Sequence, residues 1–205
     1  MSANTTTVES VKISARGELA ALLRDLDSLA REAQGEFGGL SARQLNWKPD
    51  AKQWSVGQCF EHLIRTNESF VPTLERLSRG GWRPTAWQRW SPLSKFFGGM
   101  VLKAVSPDSG RKAKSPAGFK PSESDVEADI ISRFAEHQSR LAALMRANDK
   151  LDLERVVVTS PVSRFVTYNL LDACRIVATH ERRHFAQAER VLKHPGFPAA
   201  AFEAR

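Results

Sequence analysis

His180 and His184 stand four residues apart, with Glu181 between them, in the run His180-Glu181-Arg182-Arg183-His184. On a helix, residues at i and i+4 project from one face. Two imidazoles so placed can take two positions around a single divalent cation. The run also spells H-E-x-x-H, in which the two His of a zinc protease bind metal and the Glu activates water. The longer metzincin pattern fails, because Gln187 and Arg190 stand where Gly and His are needed. A downstream Glu ligand could only be Glu203, in a tail too short for another packed helix. The metal chemistry is kept and the protease reading set aside.

The surroundings of the two His sharpen the point. Ala173, Ile176, Val177, Phe185, Ala188 and Val191 share a helical arc with His180, His184 and Glu181. Polar groups on a core-facing arc incur about 1–3 kcal/mol each unless partnered. A cation is one partner for the imidazoles; backbone carbonyls or water are another. A third ligand must come from elsewhere, and His62, His137 and His194 are the candidates. His137 lies within the apolar stripe of its own helix, whereas His62 lies about 60° outside its stripe. Helical geometry alone therefore favours His137. Cys59, three residues before His62, could offer a thiolate, although a free Cys more often packs as a small core residue.

Four amphipathic helices are predicted to position these groups. The first carries Leu19, Leu22, Leu23, Leu26 and Leu29, begins between Thr7 and Ser14 and stops near Gly35. The second opens on a capping box, Ser55 to Gln58, and its stripe runs from Val56 to Leu74, with a kink expected at Pro72 and an end at Gly80-Gly81. The third opens on a second capping box, Ser124 to Glu127, and carries Val126, Ile130, Ile131, Phe134, Leu141, Leu144 and Met145. The fourth spans Asn169 to Lys193. Arg155 to Val158 reads as extended. The expected fold is all-α: a four-helix bundle with a long crossover connection between helices 2 and 3, in a single domain over residues 1–205.

That crossover holds the charge of the molecule. The net charge is +7. Residues 79–120 contain nine Lys and Arg against one acid, Asp108, a net of +8; the remaining 21 basic and 22 acidic residues nearly cancel. Trp82, Trp87, Trp90, Phe96 and Phe97 are interleaved with the basic residues. A short helix is expected after Ser91-Pro92, with Leu93, Phe96, Phe97 and Met100 on its packed side. Residues 80–120 read as a lid or homodimer contact whose aromatics pack inward and whose field draws in anionic substrates. The alternative is a non-enzymatic binding module that uses the segment for nucleic acid or an anionic membrane surface.

No run of about 18 apolar residues is present to form a transmembrane helix. The start, MSANTTTVES, has neither the basic nor the apolar region of a signal peptide. With only Cys59 and Cys174, no disulfide scaffold is available. The expected compartment is the cytoplasm.

Leu45-Asn46-Trp47-Lys48-Pro49, Trp54-Ser55-Val56-Gly57-Gln58 with His62-Leu63 following, and His180-x3-His184-x2-Gln187 occur in this order. Together they resemble the DinB/YfiT-like superfamily, over roughly Ser14 to Lys193. The long basic crossover departs from the simplest members. The resemblance implies a divalent metal, zinc or nickel, held by His62, His180 and His184. It further implies a metal-dependent enzyme acting on a small-molecule substrate, either an S-transferase using a low-molecular-weight thiol or a hydrolase. Glu181 is then a candidate general base, and Gln187 a candidate hydrogen-bond partner of a metal-bound His. Nucleic acid is not expected as a partner on this reading.

Overall fold

A computed structural model describes residues 14–86, 88, 94–107 and 115–199. Helix α1 (Ala15–Phe37) starts where the Ser14 hydroxyl accepts the Gly17 N–H, and it buries Leu19, Leu23, Leu26, Leu29, Ala33 and Phe37 at helical spacing. It runs past Gly35, because apolar contacts at Ala33 and Phe37 outweigh the roughly 1 kcal/mol cost of one Gly. A short helix, α2 (Ala42–Asn46), follows on a Ser41–Gln44 capping box that the sequence reading does not anticipate. Helix α3 (Val56–Glu68) opens on the expected Ser55–Gln58 box.

Pro72 does more than kink this helix. It lacks an N–H, and its ring would clash with the Glu68 carbonyl. The chain breaks after Glu68 and resumes as α4 (Val71–Ser78), with Pro72 in the first turn, where no donor is needed. Arg140 spans the break, donating to Glu68 at 2.9 Å and to Glu75 at 3.4 Å.

Among its described residues the crossover contains α5 (Ser94–Val105) and a 3-10 turn at Ala117–Phe119. The expected stripe on α5 is corrected. Phe96 and Met100 are exposed, and Gly98, Val101, Leu102 and Val105 face the protein. Gly98 decides this, because its backbone lies so close to Asp172 that a Cβ would overlap the carboxylate. Leu93, Trp87 and Trp90 lie outside the described residues.

Helix α6 (Ile130–Ala147) begins six residues after Ser124, not at the predicted capping box. Asn46 explains the difference. Its side-chain amide donates to the Val126 carbonyl at 2.9 Å and accepts the Val126 N–H at 2.7 Å, which satisfies both backbone groups outside any helix. Val126 is buried there beside Gly57, where a Cβ would meet it. Two short strands follow, β1 (Val157–Thr159) and β2 (Thr167–Asn169), antiparallel with Val158 opposite Tyr168. Helix α7 (Leu170–Leu192) is capped by Asn169. The fold is thus mostly helical with one small two-stranded sheet. Helix α1 packs on α6 and α7, α3 packs on the same two helices, and α5 lies against α7 and β2.

Candidate metal centre

Helix α7 supplies two of the three converging imidazoles. The Asn169 carboxamide accepts the Asp172 N–H at 2.7 Å and sets the register of the helix start. From there the buried stripe carries His184 into the interior and leaves His180 half-buried. Helix α3 packs alongside and brings in His62, which is 4 % exposed. Each of the three offers one ring nitrogen, and the three atoms lie within 4.8 Å of one another.

The outer ring nitrogens explain how the rings are aimed. His62 Nδ1 donates to the Phe119 carbonyl at 2.5 Å. A carbonyl only accepts, so Nδ1 carries the proton and Nε2 keeps its lone pair. His184 Nδ1 is 3.0 Å from the Gln187 side-chain carbonyl, which leaves its Nε2 in the same condition. His62 Nε2 and His180 Nε2 face each other at 3.3 Å. Imidazoles oriented by a hydrogen bond at the far nitrogen, as His62 and His184 are here, are a donor type that suits a divalent metal. Burial, the nearby imidazoles and Arg183 hold His184 at about 2; burial, His62 and Arg183 hold His180 at about 3. Burial lowers His62 as well, against the Phe119 bond. All three are therefore neutral near pH 7.

Trp54 roofs the group. Its ring centroid is 4.8 Å from that of His62 and 5.5 Å from that of His184, nearly parallel to the latter. It precedes the Ser55 cap directly, so the capping box that starts α3 also places the indole.

The crossover exit is clamped to α3 by side chains one turn apart. Gln58 donates to the Ser122 carbonyl at 2.8 Å, and Glu61 accepts the Ser122 N–H and hydroxyl, each at 2.8 Å. Arg65 donates to the Lys120 carbonyl at 3.1 Å. These bonds fix the Phe119 carbonyl against His62. At the other side of the site, Arg183 donates to the Ala104 and Ser106 carbonyls at the end of α5.

The remaining candidates lie elsewhere. His137, favoured by periodicity, places Nδ1 3.2 Å from Glu68. His194 accepts the Gly196 N–H at 3.0 Å beside Trp47. Cys59 and Cys174 are buried free thiols, each pushed up to about 12 by burial, and neither joins the group. Glu181 is fully buried and accepts from Asn67 Nδ2 at 2.6 Å. Burial pushes it up to about 8, while Gln138 and Asn67 pull the other way.

Asn67 and Gln138 escaped the sequence reading, although the signal is present. Asn67 falls between Leu63 and Phe70, and Gln138 between Phe134 and Leu141, each at core spacing. The Phe119 carbonyl has no side-chain signal at all.

The family model described as the DinB superfamily matches residues 15–188. The chain belongs to the DinB superfamily. The matched span runs from α1 into α7 and includes His62, His180, His184 and Gln187. Among curated proteins, this superfamily member is similar to "Uncharacterized protein YuaE" of Bacillus subtilis (strain 168), 23% identical over 161 residues, which cover 78% of this chain and 90% of that one. No solved structure matches. Among the described residues, no helix is long and apolar enough to cross a membrane.

Proposed function

We propose that this chain is a metal-dependent enzyme of the cytoplasm acting on a small molecule, with His62, His180 and His184 holding one divalent cation. The observation that carries the reading is the convergence of three ring nitrogens within 4.8 Å, two of them with Nδ1 already committed to a carbonyl. Two imidazole nitrogens 3.3 Å apart call for a proton or a cation between them. A cation satisfies all three rings at once. In zinc or nickel form it would supply Lewis acidity at the position that three protein ligands leave open.

The chain's own residues do the rest. Trp54 shields one side of the ring cluster from water. The Phe119 carbonyl and Gln187 hold the rings in register. Glu181, with its oxygens turned to Asn67 inside the core, is proposed as a positioning residue for α7, in preference to general base. The reaction is S-transfer from a low-molecular-weight thiol or hydrolysis. The pairing of α1 and α3 with α6 and α7 supports a single four-helix bundle with the crossover between its second and third members, and a homodimer is compatible with it.

The test is metal analysis of untagged protein purified without added metal. About one zinc or nickel per chain is expected, with loss of tight binding in His62→Ala, His180→Ala and His184→Ala. Thiol consumption in the presence of a small electrophile, against ester hydrolysis, then separates the two reaction types. Protein that stays metal-free on titration with zinc and nickel would overturn the proposal.

A further inference from the structure

Among the described residues, the exposed large apolar side chains are Trp82, Phe96, Met100, Val162 and Phe165. All belong either to the crossover or to the loop joining β1 to β2. Phe96 is 64 % exposed and Phe165 63 %. The two stretches are neighbours, since α5 lies against β2 and Gln88 Nε2 donates to Thr159 Oγ1 at 3.1 Å. Phe96, Met100 and Lys103 recur at helical spacing on the outer face of α5, opposite the face that packs through Gly98. Arg164 sits over the Phe165 ring, 4.9 Å from its centroid. The same crossover holds the +8 excess.

We propose that α5 and the β1–β2 loop form a peripheral docking surface for an anionic phospholipid bilayer. Isolated apolar side chains standing out beside cations, as Phe96 and Met100 do on the face of Lys103 and Phe165 does under Arg164, match the boundary between headgroups and acyl chains. Each basic side chain near such a surface contributes roughly five-fold in binding. A second copy is a poorer occupant, because apposing this face on itself sets Lys103 and Arg164 against their own like charges. Single-stranded nucleic acid is also a poorer fit, since Met100 and Val162 offer no aromatic face for a base. Docking here does not depend on the metal centre.

The experiment is co-sedimentation of the full chain with phosphatidylcholine vesicles and with equimolar phosphatidylcholine–phosphatidylglycerol vesicles, at low and high salt. Binding to the anionic vesicles at least about ten-fold above the neutral ones, falling with salt, is expected. The double variant F96S/F165S should bind the anionic vesicles roughly ten-fold more weakly, with unchanged helical circular dichroism. Equal affinity for both vesicle types overturns the proposal, and so does a folded double variant that binds like the wild type. Tight binding of an oligothymidylate without vesicle binding assigns the face to nucleic acid. Dimerisation lost in the double variant without vesicle binding assigns it to a second copy. Should the double variant misfold, the vesicle comparison on the wild type still decides.

Discussion

Asn67 on α3 donates to Glu181 on α7 at 2.6 Å, at the level where the apolar core divides in two. On α1 the division falls between Leu26 and Leu29, on α6 between Phe134 and Leu141, and on α7 between Ala178 and Phe185. Asn67, Gln138 and Glu181 fill the gap. A buried polar layer specifies which helix levels face each other, because a slip would strand these groups in hydrocarbon.

Truncating the layer is expected to be costly. Glu181→Ala should lose about 2–4 kcal/mol, by opening a cavity and leaving the Asn67 amide buried without its acceptor. Glu181→Gln keeps an oxygen for Asn67 and should remain close to wild type in urea denaturation, with full metal content. Loss of metal in a folded Glu181→Gln protein would place the carboxylate in the coordination sphere.

Gln187 tests how the imidazoles are aimed. Gln187→Leu removes the acceptor for His184 Nδ1. Zinc affinity should fall about 10–100-fold, as for other groups that orient a ligand, with little change in unfolding free energy. Competition against a chelating dye measures it. Unchanged affinity would mean that helix packing alone holds the ring.

Metal removal should lower the melting temperature without unfolding the chain. Both apolar clusters are built from helix packing, and no ligand forms their centre. This differs from a zinc finger, whose folding free energy is its metal binding. Helical circular dichroism at 25 °C in the presence of a chelator is the readout. Collapse of the signal would make the site structural.

Arg175 forms a two-point bond to Glu18, with Nε and Nη2 each donating at 2.6 Å, and joins α7 to α1. The Arg175 bond is the largest influence on Glu18 and holds its carboxyl below its ordinary value of 4.5, against some desolvation. A lowered folded value stabilises the protein above the unfolded value, and that contribution is lost as pH falls through the folded one. Glu18→Gln should therefore cost about 1 kcal/mol at neutral pH, modest because the pair is one-third exposed. The gap to wild type should close on acidification below pH 4. A gap that widens in acid would contradict the sign.

The helices that bear the site were largely legible in the sequence, since their signals are local. Caps at Ser55 and Asn169 involve groups three residues apart, and the i, i+4 spacing puts His180 and His184 on one face wherever that helix packs. Only the tertiary structure decided the rest. Periodicity favoured His137 because the stripe reports which residues face the core, while the three imidazoles that converge do so where α3 meets α7 and the crossover returns. The Ser124–Glu127 box yielded to Asn46, eighty residues away, which offered Val126 both of its hydrogen bonds without a helix. The face of α5 was set by the close approach of Gly98 to Asp172, a contact between segments far apart in the chain. Local hydrogen bonding can be read along a sequence; competition between a local partner and a distant one is settled only when the chain has packed.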